Sequence, residues 1–371
     1  LTSELNDDEF QSTLVAGTVP NGEEDMSYLA SEKAVEPIFV AELSRELSLK
    51  DAISLFKIWR IMNREKPDML HTHTAKAGTG GRTAAFFYRW LTWKTLIGKP
   101  GRLKVVHTFH GHVFHSYYGR AKTRFFVLIE QILARLITDR IIVISEQQLQ
   151  EINGDFKVGR AEQFSVIPLG IDLEPYRDTN ERRQTFRHEI KANGEDIAVG
   201  VVGRSTEIKN LELFLKVAAL AIRDSSGASI RFVIAGDGHL RKRLEDKAEA
   251  LGISDSVIFL GNRSDIEAVY AGLDIVALTS LNEGTPLSLI EAMANGRPVI
   301  ATKVGGVVDL LGHMEESHDG FEICERGIGI EPGSPENFLM GLIYLAKNER
   351  LRESLAQKGR AFVENTYSKE R

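Results

Sequence analysis

The chain has one cysteine, Cys324, in 371 residues, which excludes a disulfide framework and fits a reducing compartment. No apolar run approaches the roughly 18 residues that a membrane-spanning helix requires, and no signal peptide opens the sequence. Surplus positive charge is also missing. The net charge is −6 and the isoelectric point about 6.0, so composition gives no case for nucleic acid as a partner. Several motifs are absent as well. Without a G-x-G-x-x-G between a strand and a helix, a nicotinamide-dependent dehydrogenase is disfavoured. Without a D-x-D pair, carboxylate-held Mg²⁺ or Mn²⁺ finds no support. His107, His110, His112 and His115 invite a zinc reading, but no cysteine lies near them and no H-E-x-x-H exists. Neither a metal nor a cofactor is therefore expected.

What is present suits a large α/β protein. At 43% hydrophobic residues the chain can bury a sizeable core, and its length suggests two domains. Short apolar runs alternate with helical patterns. Strands are expected at 12–18, 69–71, 105–109, 140–145 and 165–168, with helices at 50–64 and 121–138. After a linker-like Leu169-Gly170-Ile171-Asp172 the alternation starts again. Strands are expected at 198–202, 232–235, 257–260, 274–278 and 299–301, with helices from Asn210, at 239–250 and near 265–272. Strands alternating with helices mean a parallel sheet, and the series implies two doubly wound domains with a ligand cleft between them. Their expected limits are 1–170 and 171–371.

The most informative stretch is 280–306. It runs from an apolar strand through a loop with Gly284 into a helix start, with Thr285 as expected N-cap and Pro286 at the first helical position. The helix carries Leu287, Ile290 and Ala294 on one face and stops at Asn295-Gly296. Free N–H groups and the positive end of the helix dipole then point at a common spot, a geometry that binds phosphate. Glu283 precedes the helix and Glu291 lies roughly 7–8 Å along it. Two carboxylates there suit hydroxyl groups on either side of a phosphate; the other open reading is a solvated loop charge and a dipole partner.

The other loops of the second series also follow strands and are rich in small residues. Gly203 allows close backbone approach, and Arg204 and Lys209 could hold a diphosphate, unless either is a surface ion-pair partner. Gly236-Asp237-Gly238 and Gly261-Asn262-Arg263 follow the next two strands. In the first series His110 stands at a strand exit, where a residue could reach a ligand. Glu283 and Glu291 do not resemble a glycosidase pair, because they flank a phosphate-type site. The segment 82–140 is locally basic. Arg82, Arg89, Lys94, Lys99, Arg102, Lys104, Arg120, Lys122, Arg124, Arg135 and Arg140 face only Glu130 and Asp139, with Trp90, Trp93, Tyr117, Tyr118 and Phe125 interleaved. Two readings are open: contact with an anionic membrane surface, or a solvated basic face over core aromatics.

Taken in series, these residues resemble glycosyltransferase family 4, group 1, of the GT-B fold. The likeness is carried by Glu283-Gly284-Thr285-Pro286 with Glu291, the E-x7-E motif. It is supported by Gly203-Arg204 with Ile208-Lys209-Asn210, Gly236-Asp237-Gly238, His107-Thr108-Phe109-His110-Gly111 and the hinge Val166–Asp172. The resemblance implies a retaining, metal-independent transferase that moves a sugar from a nucleotide-diphosphate sugar, with UDP favoured over GDP. The expected acceptor is a glycan or a lipid-linked molecule in surface polysaccharide synthesis. Arg204 and Lys209 would bind the diphosphate with backbone amides at Gly284–Leu287. Glu291 would hold the ribose, Glu283 the donor sugar, and His110 the sugar near the reacting centre, while Gly236 and the loop through Arg263 would border the nucleotide. Ile208 replaces the Glu common before the loop lysine. The family's opening strand and Gly-rich loop are expected ahead of residue 1, and its last helix beyond Arg371. A cytoplasmic location is expected, peripheral on the inner face of the membrane. Two alternatives on the same fold are a catalytically silent nucleotide- or glycan-binding scaffold and a sugar-nucleotide epimerase.

Overall fold

The computed structural model describes residues 2–3, 5–18, 27–43, 51–91, 101–110, 120–177, 180–223 and 229–369. His112, His115, Gly111, Lys94, Lys99, Trp93, Tyr117 and Tyr118 lie outside the described residues. The chain divides into two compact units, Leu1–Val143 with Leu149–Val166, and Ile144–Gln148 with Ile167–Arg371.

In the first unit, β1 (Val15–Gly17) and β2 (Ile38–Val40) form a separate parallel pair. A four-stranded parallel sheet follows in chain order, β3 (Met69–His73), β4 (Lys104–Thr108), β5 (Arg140–Val143) and β6 (Phe164–Val166). The expected strand at 69–71 runs two residues further, because His73 stays in register with Thr108 of β4. That extension matters for chemistry: His71 and His73, two apart on a strand, share a face.

Helix Ala75–Trp90 packs on helix Arg120–Leu136 around a buried charge pair. Arg82 donates through Nη2 to both Glu130 oxygens at 2.6 Å, its side chain 0% and that of Glu130 5% exposed, and through Nε to the Gly78 carbonyl at 3.0 Å. Arg89 similarly donates to Asp139 at 2.7 Å, and the Asp139 carboxylate also accepts the Val105 amide at 2.8 Å. These two arginines belong to the interior. The basic face expected over 82–140 is correspondingly smaller.

The second unit is built on an eight-stranded sheet of order β12-β13-β14-β11-β10-β7-β8-β9. Its strands are β7 (Ile197–Val202), β8 (Ile230–Ala235), β9 (Val257–Gly261), β10 (Ile275–Leu278), β11 (Val299–Thr302), β12 (Met314–His318), β13 (Phe321–Cys324) and β14 (Gly327–Ile330). Alternate residues of the central strands enter two different cores. Val199, Phe232, Ile275 and Ile300 pack on one face, while Ala198, Val233, Val276 and Val299 pack on the other. Burial on both faces is why these strands read as unbroken apolar runs. The hairpin β12–β13 is antiparallel and was not expected from the sequence. Its strand β12 is mostly exposed and polar, Met-Glu-Glu-Ser-His, so it carries no apolar alternation to detect.

Strand order decides where ligands bind. From β7 the chain winds outward through β8 and β9, then returns to place β10 on the other side of β7. The connections after β7 and β10 therefore diverge, leaving a crevice at the strands' carboxyl ends.

The buried Arg82–Glu130 pair supports a stability prediction. Glu130→Ala leaves an arginine buried without its counter-charge and is expected to lower unfolding stability by about 3–5 kcal/mol. The joint replacement Arg82→Met with Glu130→Leu is expected to recover much of that loss. Chemical denaturation of the variants measures both.

Candidate functional site

The crevice of the second unit is framed by loops stitched to one another. The Leu281 amide donates to the Ile208 carbonyl at 2.8 Å, and Thr279 Oγ1 to the Lys209 carbonyl at 2.9 Å, tying the loop after β10 to the loop after β7. The Ser205 amide donates to Asp237 and the Gly236 amide to Gly261, both at 2.8 Å, which brings in the loops after β8 and β9. Gly236 has φ +128°, and a Cβ there would lie 2.1 Å from the Gly203 carbonyl oxygen, so only glycine lets these two loops meet. On the far side a Cβ at Gly306 would sit 2.0 Å from the Gly284 carbonyl oxygen, and the Gly306 amide donates to the Glu283 carbonyl at 3.2 Å.

The helix start differs from expectation by one residue. Helix Leu287–Ala294 has Pro286 as N-cap, extended at ψ 113°, and no side chain caps it. Thr285 is freed from a capping role. Its Oγ1 is buried and unpartnered, with the residue 8% exposed, and Ser288 Oγ and Thr206 Oγ1 are likewise buried without partners. Buried hydroxyls rarely stay unsatisfied without a functional reason. Three of them stand beside a helix N-terminus and the loop carrying Arg204 and Lys209, a donor set that suits phosphate oxygens.

The same loops carry the charged groups. Lys209 Nζ meets Glu283 Oε1 at 2.6 Å, and Ser280 Oγ donates to the same oxygen at 2.5 Å. Arg204 is exposed, and its guanidinium has no ion-pair or hydrogen-bond partner among the described residues. Glu291 lies within the helix and is held by two tyrosines. The Tyr270 hydroxyl donates to Oε2 at 2.8 Å, and the Tyr176 hydroxyl is hydrogen-bonded to the same carboxylate. Burial pushes both phenols up, reinforced by the carboxylate they face.

Gly203, Arg204, Lys209, Gly236, Glu283, Gly284, Thr285, Pro286, Leu287 and Glu291 all belong to this one set of loops and the helix start they frame. Arg263 stands apart. Its guanidinium is saturated by Asp265 at 2.8 Å and Glu189 at 2.5 Å, so any part its loop takes in ligand contact falls to the backbone. The sequence reading missed Tyr176, Tyr270, Thr206, Ser280 and Ser288. A buried tyrosine on the helix before β10 is a signal in itself, since its hydroxyl must find a partner.

In the first unit His110 stands at the exit of β4 with Nε2 2.8 Å from His73 Nδ1. His73 stacks between His71 and His110, with centroid separations of 4.3 and 5.0 Å, and His71 Nε2 is 2.7 Å from Thr108 Oγ1. Burial lowers all three imidazoles, His73 to about 4, with neighbouring imidazoles adding to the effect at His71 and His73. At neutral pH this stack is uncharged. His107 is a different case: it is fully buried against Gly78 and Arg82 and is a packing residue.

Two family models match the chain almost end to end. Residues 1–175 match Glycosyltransferase Family 4 and residues 182–362 match Glycosyl transferases group 1. The chain is 29% identical over 316 residues to an Escherichia coli UDP-Gal:alpha-D-GlcNAc-diphosphoundecaprenol alpha-1,3-galactosyltransferase, covering 82% of this chain and 77% of that protein. It is 25% identical over 338 residues to the capsular polysaccharide biosynthesis glycosyltransferase CapM of Staphylococcus aureus, covering 89% and 80%. Among solved structures, Anabaena HepE in complex with UDP-glucose superposes with a TM-score of 0.74 at 21% identity, covering 95% of this chain and 87% of that one.

A pH-dependent prediction follows from Glu291. Burial raises its carboxyl above the usual 4.5, against the pull of the two tyrosine hydroxyls, which favour the anion. Because the folded-state value lies above the unfolded one, ionisation costs stability. The cost is absent below the unfolded value, grows as pH rises between the two values, and is constant above the raised one. Glu291→Gln is expected to raise the unfolding temperature near pH 8 and to have little effect near pH 4. Thermal unfolding across that range measures this, and an equal gain at both ends contradicts the burial argument.

Proposed function

The chain belongs to glycosyltransferase family 4, group 1, with the GT-B fold, and we propose that it is a retaining, metal-independent hexosyltransferase using a UDP-sugar. The observation that carries the reading is the set of unpartnered buried hydroxyls, Thr285 and Ser288 at the start of helix Leu287–Ala294 and Thr206 on the loop of Arg204 and Lys209. In this reading the diphosphate lies between that loop and the helix start. The ribose hydroxyls donate to Glu291, already oriented by Tyr176 and Tyr270, and the donor-sugar hydroxyls donate to Glu283. His110, assigned to the sugar by the family motif, is a neutral hydrogen-bonding group.

The reaction breaks the bond from sugar C1 to the β-phosphate oxygen and forms one from C1 to the acceptor oxygen on the same face. The acceptor's proton passes to an oxygen of the departing diphosphate. Arg204, Lys209 and the helix amides stabilise charge developing on that diphosphate, a preorganised electrostatic effect of several kcal/mol. No protein nucleophile takes part. UDP as the nucleotide is supported by the UDP-sugar named for the Escherichia coli relative and by the UDP-glucose in the HepE structure.

A lipid-linked acceptor in surface polysaccharide synthesis is supported by that relative's diphosphoundecaprenol substrate and by an exposed stripe on helix Arg120–Leu136. Phe125, Leu128, Ile132 and Leu136 recur at helical spacing and are all exposed, with Arg124 and Arg135 beside them. A helix of this kind lies in a bilayer interface without crossing it, each cation adding about 1 kcal/mol on an anionic leaflet. No helix among the described residues is long and apolar enough to span a membrane. We propose that the enzyme works at the cytoplasmic face of the membrane.

A donor screen by nucleoside-diphosphate release tests the site. Lys209→Ala and Glu291→Ala are each expected to lower turnover of the preferred sugar nucleotide by about a hundredfold. Wild-type rates in both variants would overturn the assignment, and isomerisation of the donor without acceptor would indicate an epimerase. For the membrane, co-sedimentation with phosphatidylglycerol-containing vesicles is expected to fall with added salt and to be lost in Leu128→Asp/Ile132→Asp. Binding that ignores salt, lipid charge and the double substitution contradicts the peripheral contact.

A further inference from the structure

We propose that the Lys209–Glu283 ion pair makes the donor site select the intact sugar nucleotide over the free nucleoside diphosphate, so that Glu283 drives product release. The proposal rests on the donor-site reading above and adds to it a role for the pairing itself.

Glu283 and Lys209 are little exposed, 12% and 19%, and they neutralise each other at 2.6 Å. Their main chains are fixed. The main chain of Glu283 is held by the Gly306 amide, and that of Lys209 by Thr279 Oγ1. Asn210, in the left-handed conformation at φ +47°, fixes the turn that follows Lys209. A diphosphate reaching Lys209 must therefore compete with a carboxylate that remains beside it.

The outcome depends on what accompanies the phosphate. In the intact donor the β-phosphate is a diester-like group with a single charge, and the sugar brings hydroxyls that can donate to Glu283 as the ammonium turns to phosphate. Both partners of the broken pair are then satisfied. Once the C1–O bond has broken, the β-phosphate gains an ionisable oxygen with a pKa near 6, so the nucleotide carries about one more negative charge. The hydroxyl donors have left with the sugar at the same moment. With the ammonium turned to that phosphate, Glu283 faces a dianionic group and keeps the Ser280 Oγ donor among the described residues. Like charges at such separations in a partly desolvated site repel by an amount large enough to change affinity severalfold. The neutral hydroxyls of Thr206, Thr285 and Ser288 favour substrate and product phosphates alike, so they supply affinity without this discrimination.

The test is binding of UDP and UMP to the full chain by titration calorimetry, with GDP and GMP run alongside. Glu283→Gln is expected to bind UDP about tenfold more tightly than wild type, and UMP, which has no β-phosphate, within about twofold. The gain is expected to shrink in about 1 M salt. An unchanged or weaker affinity for UDP in Glu283→Gln, or an equal gain for UMP, overturns the proposal. Glu283→Ala gives the same comparison should the glutamine variant fail to fold. Lys209→Ala separates the two levels of inference, since it is expected to weaken UDP binding with either residue at 283. If Lys209→Ala leaves UDP affinity untouched, the diphosphate site itself is misplaced, whatever Glu283→Gln does. Binding of neither diphosphate by wild type or variant overturns both.

Discussion

The reversal of strand order between β7 and β10 is the constraint from which the chemistry of the second unit follows. It obliges the connections after those two strands to diverge, and it leaves the loops between at the carboxyl ends of the sheet, outside its strand ladder. Everything placed there must be held by something other than a strand ladder. The stitching of Leu281 to Ile208, Ser205 to Asp237 and Gly236 to Gly261 supplies that hold. It does so with main-chain bonds, so the side chains of Arg204, Thr206, Thr285 and Ser288 remain available. The entry side of the strands is fixed separately. Asp274, just before β10, accepts from Arg183 at 2.5 Å, Arg187 at 2.7 Å and the Ala198 amide at 2.8 Å. Rigidity at one end of the sheet thus permits unsatisfied groups at the other.

Charge is handled differently at each buried position, and the difference separates structure from function. Arg82 and Glu130 pair charge with charge deep in the first unit, although Arg82 Nη1 is buried without a partner, and Arg263 is saturated by two carboxylates. Such pairs perturb nothing beyond their own neighbourhood. Glu291 has no cation partner among the described residues. Its donors there are the hydroxyls of Tyr176 and Tyr270, which stabilise the anion less than an arginine does and so leave capacity for further hydroxyl donors. A carboxylate whose partners are neutral donors is suited to a diol, whereas one already paired with arginine is not.

Much of this was legible in the sequence, and the misses have physical causes. The central strands announced themselves because both of their faces are buried, and the glycines did so because close loop approach tolerates no Cβ. The E-x7-E stretch was readable because its strand, loop and helix are contiguous. What failed was long-range pairing. Arg82 and Arg89 counted as surface cations because Glu130 and Asp139 lie 48 and 50 positions away along the chain. The tyrosines over Glu291 were readable as residues in need of a hydroxyl partner, but their partner was not, for the same reason. The one-residue error at the helix start was local: Thr-Pro reads equally well as N-cap and first turn, and the extended backbone of Pro286 decides it. That small shift uncovers the Thr285 hydroxyl.

The histidine stack of the first unit completes the electrostatic argument. Three imidazoles in contact cannot all be protonated near neutral pH, and burial lowers each of them further. Had His110 stood alone, it could have carried charge part of the time and attracted phosphate. With its Nε2 engaged by His73 it is a neutral group whose ring orientation is fixed, which suits a sugar hydroxyl better than an anion. Neutral and held in orientation, the stack offers directional hydrogen bonds and no attraction for an anion.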